Sequence, residues 1–390
     1  MPARFRTAPF GLVWFCYFAS LGLFNPYAPL WLASLGHSTF VIGAFAALQS
    51  WTRIVAPYGW GWLADHGGRR VQLLRVAAVA CVAAAAALWA LRESGAWTLA
   101  AVVAALFLAN GAFTPIVETL ILRHLHVGDS LDTRRYGRVR LWGSVGFIGA
   151  VLLAGLLLQR TGIAALPLLT FGMVLLLALA TWRLPSTVEP PAGQQAPVAI
   201  APVLRRPVVR WFFAAVMLTV LAHTSLYAFF SLLLDQLGYG KAAVGAMWAV
   251  AVAAEIIFFA AAGRRFERID PYRWLLWAAL ASAVRFALTA AYSHLPAVLV
   301  LLQLTHALTF AAQHMACTAL IARYFPDRLR ARGSALYSTL GYGVPGVIGG
   351  VAGGWLSQRL GLASVFWAAA LAALASAACC ATAARLARRT

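Results

Sequence analysis

Six ionisable side chains, Arg53, Glu118, His223, Glu255, Arg285 and His306, lie inside long apolar stretches of this sequence. A charge near the centre of a bilayer costs from about 3 to more than about 10 kcal/mol, so such groups face protein or a watery cavity and serve a function by default. Carboxylates and imidazoles can load and release protons, and a guanidinium can hold a carboxylate through two parallel hydrogen bonds. Glu255 is the expected proton carrier, because burial and a neighbouring guanidinium act oppositely on its hold on a proton. Arg285 is expected to be its internal partner, with His306 as a third member. Arg53 is the expected contact for an anionic substrate, with Trp51, Tyr27 and Phe310 as aromatic surface.

Helical spacing gathers further polar residues onto single faces. Tyr17, Leu21 and Asn25 recur every four residues, as do Asn110, Thr114 and Glu118, and Thr219, His223 and Tyr227. Gln303, His306, Phe310, Gln313 and His314 follow at spacings of three and four. Four such stripes predict one polar cavity, with His223 and Tyr227 among its substrate contacts. The competing use of such residues is to join helices by hydrogen bonds.

The elements that must carry these stripes are membrane-spanning helices. Of 390 residues, 62% are hydrophobic and 11% charged, far from the roughly 25% charged usage of soluble domains. A bilayer crossing needs about 20 apolar residues. Twelve stretches qualify: 8 to 34, 39 to 63, 70 to 92, 96 to 124, 138 to 159, 163 to 183, 209 to 236, 240 to 262, 272 to 292, 295 to 323, 333 to 357 and 362 to 385. The fold class is therefore an all-α membrane protein of twelve transmembrane helices, read as two pseudo-symmetric six-helix bundles. Residues 1–183 and 209–390 form the bundles, joined by a proline-rich linker at 184–208. The first span is read as uncleaved, being too long for a signal-peptide core.

The net charge of +20 is a topology signal. Its basic residues sit in short gaps between apolar runs, where a nucleic-acid binder would need a solvated patch, so no nucleic-acid partner is expected. With the N-terminus in the cytosol, the outer loops hold only Arg92, Arg160, Lys241 and Arg359, and the inner loops and termini hold 25 of the 31 Lys and Arg. That bias places both termini in the cytosol. All five cysteines lie in apolar spans and suit packing, with no metal or disulfide framework. No Walker loop, catalytic triad or other cofactor motif is present, so no enzyme activity and no cofactor are expected.

The halves repeat each other. A shift of 202 residues aligns Leu35-Gly36 with Leu237-Gly238, Gly61 with Gly263, and Asp65 with Glu267. It also sets Arg53 opposite Glu255. Near the end of each half, Gln159 to Gly162 resembles Gln358 to Gly361 at a shift of 199. Duplicated bundles of this kind build secondary transporters with a site at the repeat interface.

The loop after the second span contains Gly61, Leu63, Asp65, His66, Gly68, Arg69, Arg70 and Leu73, and resembles the signature G-x-L-x-D-R-x-G-R-[KR]-x-x-L of the major facilitator superfamily. His66 replaces the usual Arg. Gly61, Asp65, Gly68, Arg69 and Arg70 then form a cytoplasmic gating latch. Within the superfamily, Tyr136 to Ser144, Val252 to Glu255 and Ala283 to Arg285 look like the phenylpropionate permease family, which is close to lactose permease. The resemblance implies a substrate role for Glu118 and Arg140, which match the sugar-clasping carboxylate and guanidinium of lactose permease at a different spacing. His306 is followed by Thr309, where that permease has a His and Glu pair, so its proton coupling does not transfer directly.

The combined expectation is a proton symporter of a small organic, aromatic carboxylate in a bacterial inner membrane. Its partners are the substrate, protons and membrane lipids, and it is read as a monomer. The alternatives are a sugar or nucleoside symporter, a drug-proton antiporter, and a non-transporting sensor that kept the fold.

Overall fold

The computed structural model describes residues 7–127, 130–185, 199–326 and 329–389. Arg4, Arg6, Arg328 and most of the proline-rich linker lie outside the described residues. Eleven described helices are long and apolar enough to cross a membrane: Ala8–Ser34, Thr39–Gly67, Arg70–Ala90, Ala96–Leu125, Arg134–Thr161, Ile163–Trp182, Pro207–Gln236, Lys241–Gly263, Pro271–Tyr292, Pro296–Tyr324 and Leu362–Ala387. In chain order the last of these is the twelfth helix. The eleventh runs through Arg330–Ser338, a π turn at Thr339–Gly343, and Val344–Leu360. It falls short of the others in continuous apolar length because glycines occupy 341, 343, 346, 349, 350, 353 and 354. The only strands among the described residues are His126–Val127 and Ser130–Leu131, a minimal antiparallel pair beyond the fourth helix.

Three of the spans that carry polar stripes are interrupted. The first breaks between Phe24 and Ala28, the fourth at Gly111–Ala112, and the tenth passes through a π stretch at Ala307–Ala312. Interruptions in a span survive only where protein or trapped water satisfies the freed backbone groups. Asn25, Asn110 and His306 stand at or beside these breaks.

The internal repeat is written into the backbone. Gly36 and Gly238 both turn at φ 81°, and Gly162 and Gly361 at 86° and 82°. A side chain at positive φ crowds the adjacent carbonyl, so glycine ends each of these helices in both halves.

The chain packs as two compact units, Met1–Gly36 with Thr52–Gln194, and His37–Trp51 with Gln195–Thr390. In the first unit, Phe10, Trp14, Cys81, Phe113, Val117 and Leu177 belong to a common core drawn from the first, third, fourth and sixth helices. Its first and fifth helices approach closely, since a Cβ at Gly146 would collide with the Phe15 carbonyl and one at Gly143 would sit 2.7 Å from the Phe18 ring. In lipid, where tails are as apolar as leucine, such close packing supplies the association energy.

The second unit has its own core around Phe212, Val216, Leu275, Cys317, Leu320 and Cys380. Its glycine-rich eleventh helix lies against the opening turns of the second helix, where a Cβ at Gly350 would come within 2.7 Å of the Ala47 amide nitrogen. On another face, Gly349 and Gly353 meet Thr224 and Phe229 of the seventh helix. All five cysteines are buried and free.

Candidate functional site

In the first unit, the site begins at Tyr17. Its hydroxyl is held by Thr114 at 3.0 Å, so the stripes of the first and fourth helices face each other. Arg53 of the second helix and Arg140 of the fifth both act electrostatically on that hydroxyl. The Gly143 and Gly146 contacts set the fifth helix against the first, and the Arg140 guanidinium lies 5.1 Å from the Trp14 ring centroid and 4.5 Å from that of Phe18. Among the described residues neither Arg53 nor Arg140 has an acidic partner. Glu118 is already engaged, accepting a short hydrogen bond from the Tyr136 hydroxyl. Tyr136 and Arg140 stand one helical turn apart and interact electrostatically.

Two guanidinium groups that act electrostatically on one tyrosine hydroxyl, with indole and phenyl faces beside one of them, suit an anion carrying an aromatic or apolar body. Tyr27 does not join it. That ring is fully buried and its hydroxyl donates to the Val151 carbonyl at 2.8 Å, a packing role.

In the second unit, the buried polar groups form a chain. Arg285 Nη1 lies 2.7 Å from His306 Nδ1 and 3.0 Å from Thr309 Oγ1, and Nη2 donates to Gln303 Oε1 at 2.8 Å. His306 Nε2 lies 3.0 Å from Glu255 Oε1. A guanidinium can only donate, so Nδ1 must accept and the proton of a neutral ring sits on Nε2, aimed at the carboxylate. The ninth, tenth and eighth helices are thereby linked as arginine, imidazole and carboxylate. Arg285 is 1% exposed and His306 3%, so both groups depend on these partners for solvation.

His223 stands beside this chain, its ring centroid 6.1 Å from that of His306. Its Nδ1 faces the Thr219 carbonyl at 2.8 Å, which leaves Nε2 as a buried acceptor with no hydrogen-bond partner among the described residues. Thr219 itself turns to Ser376 of the twelfth helix at 2.6 Å. Tyr227 stacks on Trp248 with centroids 6.2 Å apart and is felt electrostatically by Arg285. Phe310 is flanked by the rings of His306 and His314 at 5.2 and 6.2 Å, each nearly parallel to it.

The loop after the second helix holds Asp65 and Arg70 together at 2.8 Å, with Arg70 buried and Asp65 half exposed. Gly68, at φ 60°, makes the turn that lets Arg70 open the third helix while facing back to Asp65. Gly61 is half-buried inside a continuous helix and Arg69 is exposed before the next.

Several participants escaped the sequence reading: Trp14 and Phe18 as the walls of Arg140, Tyr136 as the partner of Glu118, and Thr309 as a ligand of Arg285. The four-residue spacings of Trp14 with Phe18 and of Tyr136 with Arg140 were the available signals.

Comparison with known proteins agrees along the chain. A sequence profile of the MFS_1-like family matches residues 10–368. Over 368 residues, 93% of this chain and 94% of the other, the chain is 31% identical to a probable 3-phenylpropionic acid transporter of Escherichia coli (strain K12). It is 30% identical over 375 residues to a maltose permease of Geobacillus stearothermophilus, covering 93% of this chain and 91% of that one. The fold matches a crystal structure of a mutant nucleoside transporter NupG at TM-score 0.80 and 16% identity, over 97% of this chain and 99% of that one. It also matches a POT family transporter in complex with 5-aminolevulinic acid, at TM-score 0.78 and 11% identity over 95% and 94% of the two chains. With its all-helical architecture and these matches, the chain belongs to the MFS_1-like family of the major facilitator superfamily and is a multi-pass membrane transporter of a small molecule.

Proposed function

We propose that this transporter is a proton symporter of a small aromatic carboxylate of the phenylpropionate type. It works as a monomer in the lipid of a bacterial inner membrane, with both termini in the cytosol. The observation that carries the reading is the pair Arg53 and Arg140, two guanidinium groups that both act electrostatically on Tyr17 and have no acidic partner among the described residues, one of them over Trp14 and Phe18. A carboxylate supplies the missing charge, and its aromatic body suits the neighbouring rings. The relative named as a 3-phenylpropionic acid transporter supports the same substrate class.

Proton coupling falls to Glu255, His306 and Arg285. With Glu255 ionised, Nε2–H of His306 donates to it and Arg285 is neutralised through the ring. A proton loaded on Glu255 cancels the charge that draws the imidazole. Arg285 is then left to Gln303 and Thr309, and the eighth helix is freed from the tenth. His223 Nε2 offers a neighbouring acceptor, and the Asp65–Arg70 latch serves as the cytoplasmic gate.

A sugar symporter is the second reading, favoured by Glu118 poised with Tyr136 near Arg140 and by the maltose permease relative. Uptake of labelled 3-phenylpropionate and of labelled maltose into cells expressing the chain separates the two. The carboxylate reading expects saturable phenylpropionate uptake whose KM Arg140→Gln raises at least tenfold and which maltose leaves undiminished. Maltose uptake without phenylpropionate uptake overturns it.

A further inference from the structure

The third and sixth helices of the first unit lie side by side along their length. At one end Trp89 stacks on Phe171 with ring centroids 6.3 Å apart, and at the other Arg75 Nη2 donates to the Leu184 carbonyl at 3.1 Å. Leu74, Ala78, Leu177 and Ala178 belong to the core that the two helices share. On the outer side, at the Arg75 end, a groove of about 400 Å³ opens between them, walled by Arg75, Val76, Val79, Ala80 and Trp182. Val76, Val79 and Trp182 are exposed, and the wall is almost wholly apolar. Neither Arg53 nor Arg140 lines this groove, so it is separate from the carboxylate site.

The groove ends in uncompensated positive charge. A guanidinium has five N–H donors, and among the described residues the Leu184 carbonyl is the one acceptor that Arg75 has. Tying down the end of the sixth helix uses a single donor. Arg75 Nε is buried with no hydrogen-bond partner among the described residues. A buried donor left unfilled forfeits the hydrogen bond it had in water, which favours an acceptor brought from outside the chain. Arg183, exposed and next in sequence to Trp182, adds a second positive charge. Among the described residues neither arginine has an acidic partner. The sixth span closes at Trp182, so this charged end stands where bilayer meets water, the level that indole rings favour.

Charge and shape together select one occupant. An apolar channel leading to an interfacial pair of arginines matches an acyl chain below an anionic headgroup, and basic pockets between transmembrane helices recognise lipid headgroups in this way. A free phosphate would meet the charge and leave the apolar wall bare. A zwitterionic headgroup would bring an ammonium with no carboxylate paired to Arg75 or Arg183 to receive it. We infer that this groove binds one anionic phospholipid of the phosphatidylglycerol type, its phosphate on Arg75 and Arg183 and an acyl chain along Val76, Val79 and Trp182. Arg75 follows Arg70, the partner of Asp65, by five residues on the third helix, so the lipid grips the helix that carries one side of the latch.

The inference is independent of the carboxylate reading and of proton coupling. The full chain in detergent is photolabelled with a phosphatidylglycerol carrying a diazirine on one acyl chain, and the labelled peptides are identified by mass spectrometry. Labelling is expected in the peptides containing residues 75–80 and 175–182. Unlabelled phosphatidylglycerol should compete it away, while the same concentration of phosphatidylcholine, or millimolar inorganic phosphate, should leave it in place. Arg75→Gln and Arg183→Gln are each expected to lower labelling of these peptides at least threefold, with labelling elsewhere on the chain unchanged. Arg183 is exposed, so its variant carries the test even where Arg75→Gln does not fold. Equal competition by phosphatidylcholine reduces the groove to ordinary lipid contact and overturns the inference. Displacement by inorganic phosphate assigns a free-anion site and also overturns it, as does labelling that is absent from these peptides or unchanged by Arg183→Gln.

Discussion

His306 Nε2 lies 3.0 Å from the carboxylate of Glu255. The opposite nitrogen of the same ring faces Arg285, so the imidazole sits between two opposite charges that also act on each other electrostatically. A glutamine at 306 has one acceptor and one donor and can imitate both roles, whereas leucine has neither. His306→Gln is expected to fold with a Tm near that of the unsubstituted protein. His306→Leu takes the bridging ring from Arg285 and Glu255, a loss of hydrogen bonds to charged groups worth about 1.5–3 kcal/mol, and its Tm in detergent should fall below that of the glutamine variant. Equal melting temperatures would remove the bridge from the account.

Arg53 and Arg140 should set affinity for the carboxylate. Arg53→Gln and Arg140→Gln are each expected to raise the KM for phenylpropionate uptake at least tenfold, corresponding to about 1.4 kcal/mol. Arg140→Lys keeps the charge and loses the planar group that lies over Trp14 and Phe18, so it should rescue only part of the loss. Initial-rate uptake over a range of substrate concentrations checks this.

Two glycine substitutions should weaken the protein for different reasons. Gly350→Ala drives a methyl into the Ala47 backbone, an overpacking expected to cost about 1–3 kcal/mol. Gly36→Ala meets no atom within 4 Å, yet its φ of 81° is unfavourable for any side chain, at about 1–2 kcal/mol. Thermal melting in detergent reads both. The Gly350 variant should in addition transport more slowly, because the clash lies within a helix contact, whereas Gly36 ends a helix.

Asp65→Ala removes the acidic partner of the buried Arg70. Loss of a hydrogen bond to a charged group is worth about 1.5–3 kcal/mol, and half exposure of Asp65 places the expected cost at the lower end. Uptake should slow with little change in KM, since Asp65, in the last turns of the second helix, stands twelve residues, about 18 Å, along that helix from Arg53. A KM change equal to that of Arg53→Gln would contradict a gating role.

The spans were legible because a continuous apolar run is hard to mistake. The eleventh was diluted only because its glycines serve close contact with Ala47, Thr224 and Phe229. Spacing also showed that Tyr17 and Thr114 share the polar side of their helices, and the structure joins them. What spacing leaves open is which residue of one helix meets which of another. Arg285, Glu255 and His306 were expected together, and the structure adds their order, with His306 between the other two. Tyr27 was expected as substrate surface because aromatic type alone does not distinguish a binding face from a packed one, and the structure buries it against Val151.

The central claim is that a proton on Glu255 moves with the substrate. Protein in proteoliposomes with a pH indicator inside, given an inward phenylpropionate gradient at equal pH, should acidify the lumen as substrate enters. Glu255→Gln should take up substrate down its gradient with no such acidification. Substrate entry without proton entry in the unsubstituted protein, or acidification that survives Glu255→Gln, would contradict the account.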